Sequence, residues 1–123
     1  MQVLIVVGDP NLGWLWKRHI ERIGAQTAVV VVTSQDDAIS YLRHHKSEIV
    51  VLDLVLSDGS AIAIADYAAY RHPAAKVIFV TNSSFFSDGS IFQHIPNACS
   101  FLPRDTPPGD LAAIVDHYGM DAR

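Results

Sequence analysis

The chain has 123 residues, is 50% hydrophobic and carries a formal net charge of -4 at pH 7. This length supports one compact core and leaves little room for a second, so we expect residues 1–123 to form a single domain. The largest basic cluster is the pair Lys17 and Arg18, which argues against a nucleic-acid surface, since such a surface needs concentrated Lys and Arg.

The first apolar run, Val3 to Val7, is too short for a secretory core or a membrane span, and a segment of helical period that contains charged residues follows it. We therefore expect a cytoplasmic protein that does not bind a membrane.

Short apolar runs rich in β-branched residues alternate with longer segments of helical period, which is typical of parallel βαβ units. The predicted strands are Gln2–Val7, Thr27–Val32, Glu48–Asp53, Lys76–Thr81 and Ala98–Leu102. The predicted helices are Pro10–Ile23, Gln35–His45, Ser60–Tyr70, Ser87–His94 and Pro107–Tyr118. Because helices cover both sides of a parallel sheet, we expect all five strands to be buried on both faces.

This pattern predicts the flavodoxin-like doubly wound α/β fold, a (βα)5 unit with strand order 2-1-3-4-5. The carboxyl ends of its strands share one edge, where ligands collect. The residues that this edge brings together are Asp9, Asp53, Thr81 and Arg104. An acid, a hydroxyl and a cation around one anion provide the positioning and charge neutralisation that phosphoryl chemistry needs.

Asp53 ends the near-continuous apolar strand that starts at Ile49, and a turn with Gly59 follows. The strand alone leaves two interpretations of Asp53 open. The carboxylate is either a reactive group at the edge of the sheet or a cap of the next turn.

Three segments resemble the receiver domains of two-component response regulators, and the resemblance covers essentially the whole chain. Residues 51–60, VLDLVLSDGS, resemble the phosphoacceptor segment, residues 80–81 the end of strand four, and residues 97–111 strand five and the start of the last helix. The resemblance implies that Asp53 accepts the phosphoryl group, that Thr81 bonds one of its oxygens, and that Phe101 is the switch aromatic. Arg104 stands where the family has a lysine.

The resemblance implies a signalling protein and not an enzyme. One partner would be a histidine kinase or phosphotransfer protein. Because we expect no output domain in this chain, the other would be a downstream protein target. Trp14 lies off the inward stripe of the first helix, on the surface that receivers present to kinases. Its predicted exposure is compatible with partner contact and with chance.

The metal site of receivers is altered in this sequence. The family carries two adjacent acids after strand one that hold Mg²⁺, commonly followed by a polar residue and a proline. Alignment through Pro10 puts Val7 and Gly8 at the acidic positions, whereas a shift of one residue restores Asp9 but misplaces the proline. Since carboxylates supply the anchoring charge, we expect Mg²⁺ binding by Asp53, with or without Asp9, to be weak or absent.

Arg104 is a second departure, because a planar guanidinium does not replace a compact ammonium at a fixed distance. An ion pair with Asp53 is still feasible. Two smaller departures are Phe101, which lacks the hydroxyl of many family members, and Asp105, which replaces a common proline.

Two other functions stay open. The first is a phosphorylation-independent interaction module, a pseudo-receiver that keeps the fold without the metal site. The second is a flavin-binding or nucleotide-binding protein of the same architecture. This second alternative is weaker, because no Gly-rich turn follows strand one to cradle a phosphate.

The histidines and the single cysteine suggest no further chemistry. No histidine pair has a metal-ligand spacing, so we expect His44, His45 and His72 at the surface and His19 as a hydrogen-bonded core residue. Cys99 cannot form an internal disulfide, and we interpret it as a small buried hydrophobic residue.

Overall fold

The structure, a computed structural model, describes residues 1–81 and 95–122. Five parallel strands form one sheet in the order β2-β1-β3-β4-β5. The strands are β1 (Gln2–Val6), β2 (Ala28–Val32), β3 (Ile49–Asp53), β4 (Lys76–Thr81) and β5 (Ala98–Pro103). The helices are α1 (Pro10–Glu21), α2 (Gln35–His44), α3 (Ala61–Arg71) and α4 (Pro108–Ala122). The predicted fold and strand order are confirmed, and the predicted helix Ser87–His94 lies outside the described residues.

The core has two layers, one on each face of the sheet. Successive side chains of a strand point to opposite faces, so Leu4 and Val6 belong to one layer and Val3 and Ile5 to the other. Helices α2 and α3 cover the first layer, and α1 and α4 cover the second. The central strands β1, β3 and β4 therefore pass between two hydrophobic layers.

The prediction that every strand is buried on both faces is correct for the central strands β1, β3 and β4 and wrong for β2 and β5. Most residues of β2 and all but the last of β5 are half-buried. Both are edge strands with one neighbour each, so neither is covered on its outer side as the central strands are.

Polar caps set the starts of three helices. Asp9 caps α1 with Pro10 in the first turn, and Ser34 caps α2. Ser60, predicted as the first residue of a helix, is instead the cap of α3, where its hydroxyl accepts the Ala63 N–H at 3.2 Å. These caps satisfy backbone donors that have no partner within the helix.

Two helix ends lie more than one residue from their predicted positions. Helix α1 ends before Ile23, whose N–H donates to the carbonyl of Ile20 at 3.0 Å and so closes a tight last turn. Helix α4 continues beyond the predicted end at Tyr118. Over the described ranges, every helix is too short or too polar to span a membrane.

Candidate functional site

Asp53 is the last residue of β3 and its side chain is fully buried. Its Oδ1 accepts the backbone N–H of Val55 at 3.0 Å, which fixes the carboxylate against the following turn. The other oxygen, Oδ2, has no hydrogen-bond partner among the described residues. A capping role and a reactive role for Asp53 are thus compatible, because one oxygen bonds the turn and the other has no hydrogen bond to this part of the chain.

Arg104 lies next to this second oxygen. Its backbone N–H donates to the carbonyl of Thr81 at 3.0 Å, so the chain after β5 stays attached to the end of β4. From there the side chain places Nε 3.6 Å from Asp53 Oδ2. This distance makes an ion pair but is too long for a hydrogen bond. The sequence-based expectation of an Asp53–Arg104 pair agrees with this geometry.

Burial raises the pKa of Asp53 above the usual range of an aspartate, because a low-dielectric environment disfavours the charged carboxylate. The Val55 N–H and the positive charge of Arg104 act in the opposite direction, and burial outweighs both. Asp53 is therefore a desolvated acid whose charge is only partly balanced.

Thr81 ends β4 and is 3% exposed, directly opposite Pro103 in the register of β5. The structure therefore brings Asp53, Thr81 and Arg104 to one edge of the sheet. Phe101 lies further inside β5, where it is half-buried against the core layer below α2 and α3 and pairs with Phe79 in register. The predicted switch aromatic is thus packed on the core.

The residues after β1 do not supply a metal site. Val7 is fully buried in the core layer next to α1, and Gly8 has no side chain. Asp9 is exposed, and its Oδ1 accepts the Asn11 N–H at 3.0 Å as the cap of α1. In the part of the chain that is described, no three His, Cys, Asp or Glu residues are grouped to hold a metal ion. This donor set does not fit Mg²⁺, which prefers several oxygens in an octahedron.

A contact that sequence reasoning missed holds the loop after Asp53 in place. Gln35, the first residue of α2, donates its N–H to the carbonyl of Asp58 at 2.9 Å and accepts the Ser60 N–H through Oε1 at 2.7 Å. Between them, Gly59 has a φ of 115° and lies so close to Gln35 that a Cβ would collide with its side chain. The sequence identified Gly59 as a loop glycine, but no pattern in it pointed to Gln35.

Trp14 is exposed, as the helical periodicity predicts. It is 57% accessible and lies near Leu15, which is 39% accessible, and Lys17, whose Nζ is 5.7 Å from the centroid of the Trp14 ring. An exposed aromatic with an adjacent cation has the chemistry of an interface anchor.

The positions of the histidines agree only in part with the prediction. His44 and His45 are exposed, but His72 is half-buried, and its Nε2 lies 2.8 Å from the carbonyl of Leu42. The prediction of a surface position was wrong for His72, because the end of α2 offers its ring a carbonyl partner. His19 is half-buried, with Nδ1 3.0 Å from the carbonyl of Leu15.

Cys99 is half-buried and packs against the core layer next to α1 and α4. Burial raises the pKa of its thiol to about 11, which disfavours the nucleophilic thiolate. This environment agrees with the interpretation of Cys99 as a packing residue.

No family model matches the sequence, and no curated protein matches it. The structure, by contrast, is similar to many solved receiver domains. A CheY-like response regulator receiver domain protein from Methanospirillum hungatei JF-1 is 18% identical, with a TM-score of 0.84 over 98% of this chain and 97% of that chain. The signal receiver domain of a putative Luxo repressor protein from Vibrio parahaemolyticus is 23% identical, with a TM-score of 0.80 over 95% of this chain and 88% of that chain.

A third similar structure is also that of a response regulator. It is a response regulator protein from Burkholderia pseudomallei with a phosphorylated aspartic acid, a calcium ion and citrate. It is 18% identical, with a TM-score of 0.78 over 94% of this chain and 71% of that chain. The fold of this chain is therefore that of the response regulator receiver domains, as the sequence resemblance predicts.

Proposed function

We propose that the chain is a receiver-type signalling module that acts through protein contacts, and that the Asp53–Arg104 pair maintains its site without bound Mg²⁺. The main support is the use of the residues around Asp53. Val7 is in the core, Asp9 caps a helix, and the oxygen of Asp53 that a metal would need faces Arg104 at 3.6 Å. This arrangement favours the pseudo-receiver alternative.

The proposed partners are a histidine kinase or phosphotransfer protein and a downstream protein target. Receiver domains are signalling modules, and the exposed Trp14 on α1 offers an anchor of the kind that dominates protein interfaces. We infer that this helix forms part of the contact.

A second candidate function is a phospho-switch with Asp53 as the phosphoacceptor. It is favoured by the unbonded Oδ2 of Asp53 beside a cation and at the same edge as Thr81. In that reaction Oδ2 attacks phosphorus, the bond from phosphorus to the donor histidine breaks, and the imidazole leaves with the electron pair. A single Arg104 neutralises only part of the charge of a phosphoryl group, so we expect transfer to be slow or undetectable.

Intact mass measurement after treatment with a small phosphodonor, with and without Mg²⁺, tests the two candidates. A pull-down then compares the native protein with Asp53→Asn, Trp14→Ala and Tyr70→Ala. Tyr70 is 82% exposed on α3 and is a matched control for an exposed aromatic. We expect no stoichiometric phosphorylation, and the same bound proteins for the native chain, Asp53→Asn and Tyr70→Ala. We expect Trp14→Ala to lose them.

A mass gain of one phosphoryl group that Asp53→Asn abolishes, with partner binding that depends on it, would establish the phospho-switch instead. Loss of the bound proteins in both aromatic variants would show that α1 has no special role.

A further inference from the structure

The amino-terminal edge of the sheet, opposite Asp53, contains a depression of about 560 Å³. Lys46, Ser47 and Glu48 line it on one side, and residues 71–76 line it on the other. These two segments lead into the neighbouring strands β3 and β4. The volume falls in the range of small-molecule sites.

The depression is basic although the chain is acidic overall. Three of the nine Lys and Arg residues line it, in a chain of net charge -4. They are Lys46, Arg71 and Lys76, and the Nζ of Lys76 lies 5.7 Å from the centroid of the Tyr118 ring. Glu48 is the one acid of the lining, and its Oε2 accepts the backbone N–H of Gln2 at 2.6 Å. The side chains here therefore favour an anion.

The last carbonyl groups of α2 carry partial negative charge and would repel an anion, but hydrogen-bond donors pair with three of them. His72 Nε2 lies 2.8 Å from the carbonyl of Leu42, and Arg71 Nη2 donates to that of Arg43 at 3.3 Å. The N–H of His45 donates to the carbonyl of Tyr41 at 2.8 Å. Since a guanidinium has several donors, Arg71 covers this carbonyl and keeps others for a ligand.

Ser47 gives a second, independent indication of a ligand. It belongs to the lining, is 1% exposed, and its hydroxyl has no hydrogen-bond partner within residues 1–81 and 95–122. Buried hydroxyls are nearly always bonded, so this group lacks an acceptor or donor that a bound molecule could supply. Neither the Asp53 site nor the contacts of the core involve it.

We propose that this depression binds a phosphorylated small molecule. Lys46 and Arg71 supply the charged contacts, and Ser47, which belongs to the same lining, has a buried hydroxyl without a partner among the described residues. A guanidinium pairs with two phosphate oxygens at once, and an ammonium adds a point charge. This site does not depend on the function proposed for Asp53.

Inorganic phosphate is the probe, titrated at constant ionic strength while backbone amide shifts are followed by NMR. We expect saturable shifts at residues 46–48 and 71–76, and a loss of affinity of about tenfold in Lys46→Gln combined with Arg71→Gln. Lys17→Gln combined with Arg18→Gln removes the same charge from α1 and serves as the control, with affinity unchanged. Ser47→Ala should weaken binding without moving the pattern of shifts.

Arg71 also covers the end of α2, so its loss could unfold the helix. Lys46→Gln alone avoids this problem and is expected to weaken phosphate binding with an unchanged circular dichroism spectrum. Shifts that do not saturate, that are unaffected by Lys46→Gln, or that fall equally in the α1 control would overturn the proposal.

Discussion

The loops after β1 and β3 leave neighbouring strands at the same edge of the sheet, yet they use their acids in different ways. After β1, Asp9 is exposed and caps α1. At the end of β3, Asp53 is buried, accepts the N–H of Val55 with one oxygen and faces Arg104 with the other. Asp9 therefore stabilises the start of α1. Within the described part of the chain, Asp53 has one carboxylate oxygen without a hydrogen bond, next to Arg104.

The difference shows that an acid near a strand end does not make a metal site by itself. Pro10 fixes the start of α1, so the residue before it becomes the cap. Val7 follows the same alternation between the two faces as the side chains of β1, and it packs in the core layer with Val3 and Ile5. The backbone roles of these positions, more than their distance from Asp53, decide which side chains can reach a ligand.

The loop after β3 should be the less tolerant of the two. We expect Gly59→Ala to lower the free energy of unfolding by about 3 kcal/mol, because it combines an unfavourable positive φ with a collision against Gln35. Urea denaturation measures the change. Gly24→Ala is the control, since a Cβ there meets nothing within 4 Å. Equal stabilities of the two variants would mean that Gln35 does not hold the loop.

Adding an acid after β1 should make the two loops work together. A Cβ at Gly8 would lie 3.4 Å from Ser57 Oγ, an ordinary contact, whereas Val7→Asp would bury a carboxylate in the core. We expect Gly8→Asp to raise the Mg²⁺ affinity about tenfold, or 1.4 kcal/mol, through a second carboxylate beside Asp53.

Calorimetric titration with Mg²⁺ tests this prediction. Gly24→Asp adds the same charge at an open position and serves as the control. Saturation of the native protein at sub-millimolar Mg²⁺ would show that Asp9 or another acid already completes a site.

Asp9 should matter for stability and not for metal binding. Asp9→Ala removes the cap of α1, and we expect a loss of about 1 kcal/mol in the free energy of unfolding. Asp9→Asn keeps the capping oxygen and should be close to the native protein in stability and in Mg²⁺ affinity. A drop in metal affinity for Asp9→Asn, measured by calorimetry, would instead make Asp9 a ligand.

Asp53→Asn should have the opposite effect on stability. The raised pKa means that folding favours the protonated carboxyl, so this group stabilises the fold below its unfolded pKa and loses that contribution as the pH rises through the folded pKa. We expect Asp53→Asn to gain on the order of 1 kcal/mol at neutral pH and nothing below about pH 4.

Urea denaturation across this pH range measures the difference. Asp66→Asn, on the exposed side of α3, is the control and should show no comparable gain. If Asp53→Asn were destabilising at neutral pH, the Arg104 and Val55 contacts would outweigh the cost of burial.

Much of this fold was predictable, because alternating β-branched runs and helical periods specify parallel βαβ units. The convergence of Asp53, Thr81 and Arg104 follows from the shared edge of the strand ends. The capping role of Asp9 was also predictable from its place before Pro10.

The remaining features depend on contacts between distant residues. The hydrogen bond from Ser60 to Gln35 joins positions 25 residues apart, and no local pattern marks it. The predicted strand order already placed β2 and β5 at the edges, but their apolar sequences did not show that an edge position would leave them only half-buried. The resemblance implied a role for Asp53 but not the direction in which each of its oxygens points.

The smallest expected effect concerns the Asp53–Arg104 pair. The Arg104 side chain is 31% exposed and 3.6 Å from Oδ2, so water screens part of the attraction. We expect Arg104→Ala to raise the pKa of Asp53 further and to lower stability at neutral pH by only a few tenths of a kcal/mol. Arg104→Lys keeps the positive charge, so the pKa of Asp53 should stay close to its value in the native protein.

A ¹³C NMR titration of the Asp53 carboxyl group gives the pKa in all three proteins. An unchanged pKa in Arg104→Ala would show that the two side chains are not in contact. The Val55 N–H would then be the remaining group that stabilises the charged Asp53 carboxylate. It bonds only one of the two oxygens, so it would balance the charge only in part. A raised pKa would mean that Arg104 opposes the effect of burial and helps to keep the Asp53 carboxylate charged.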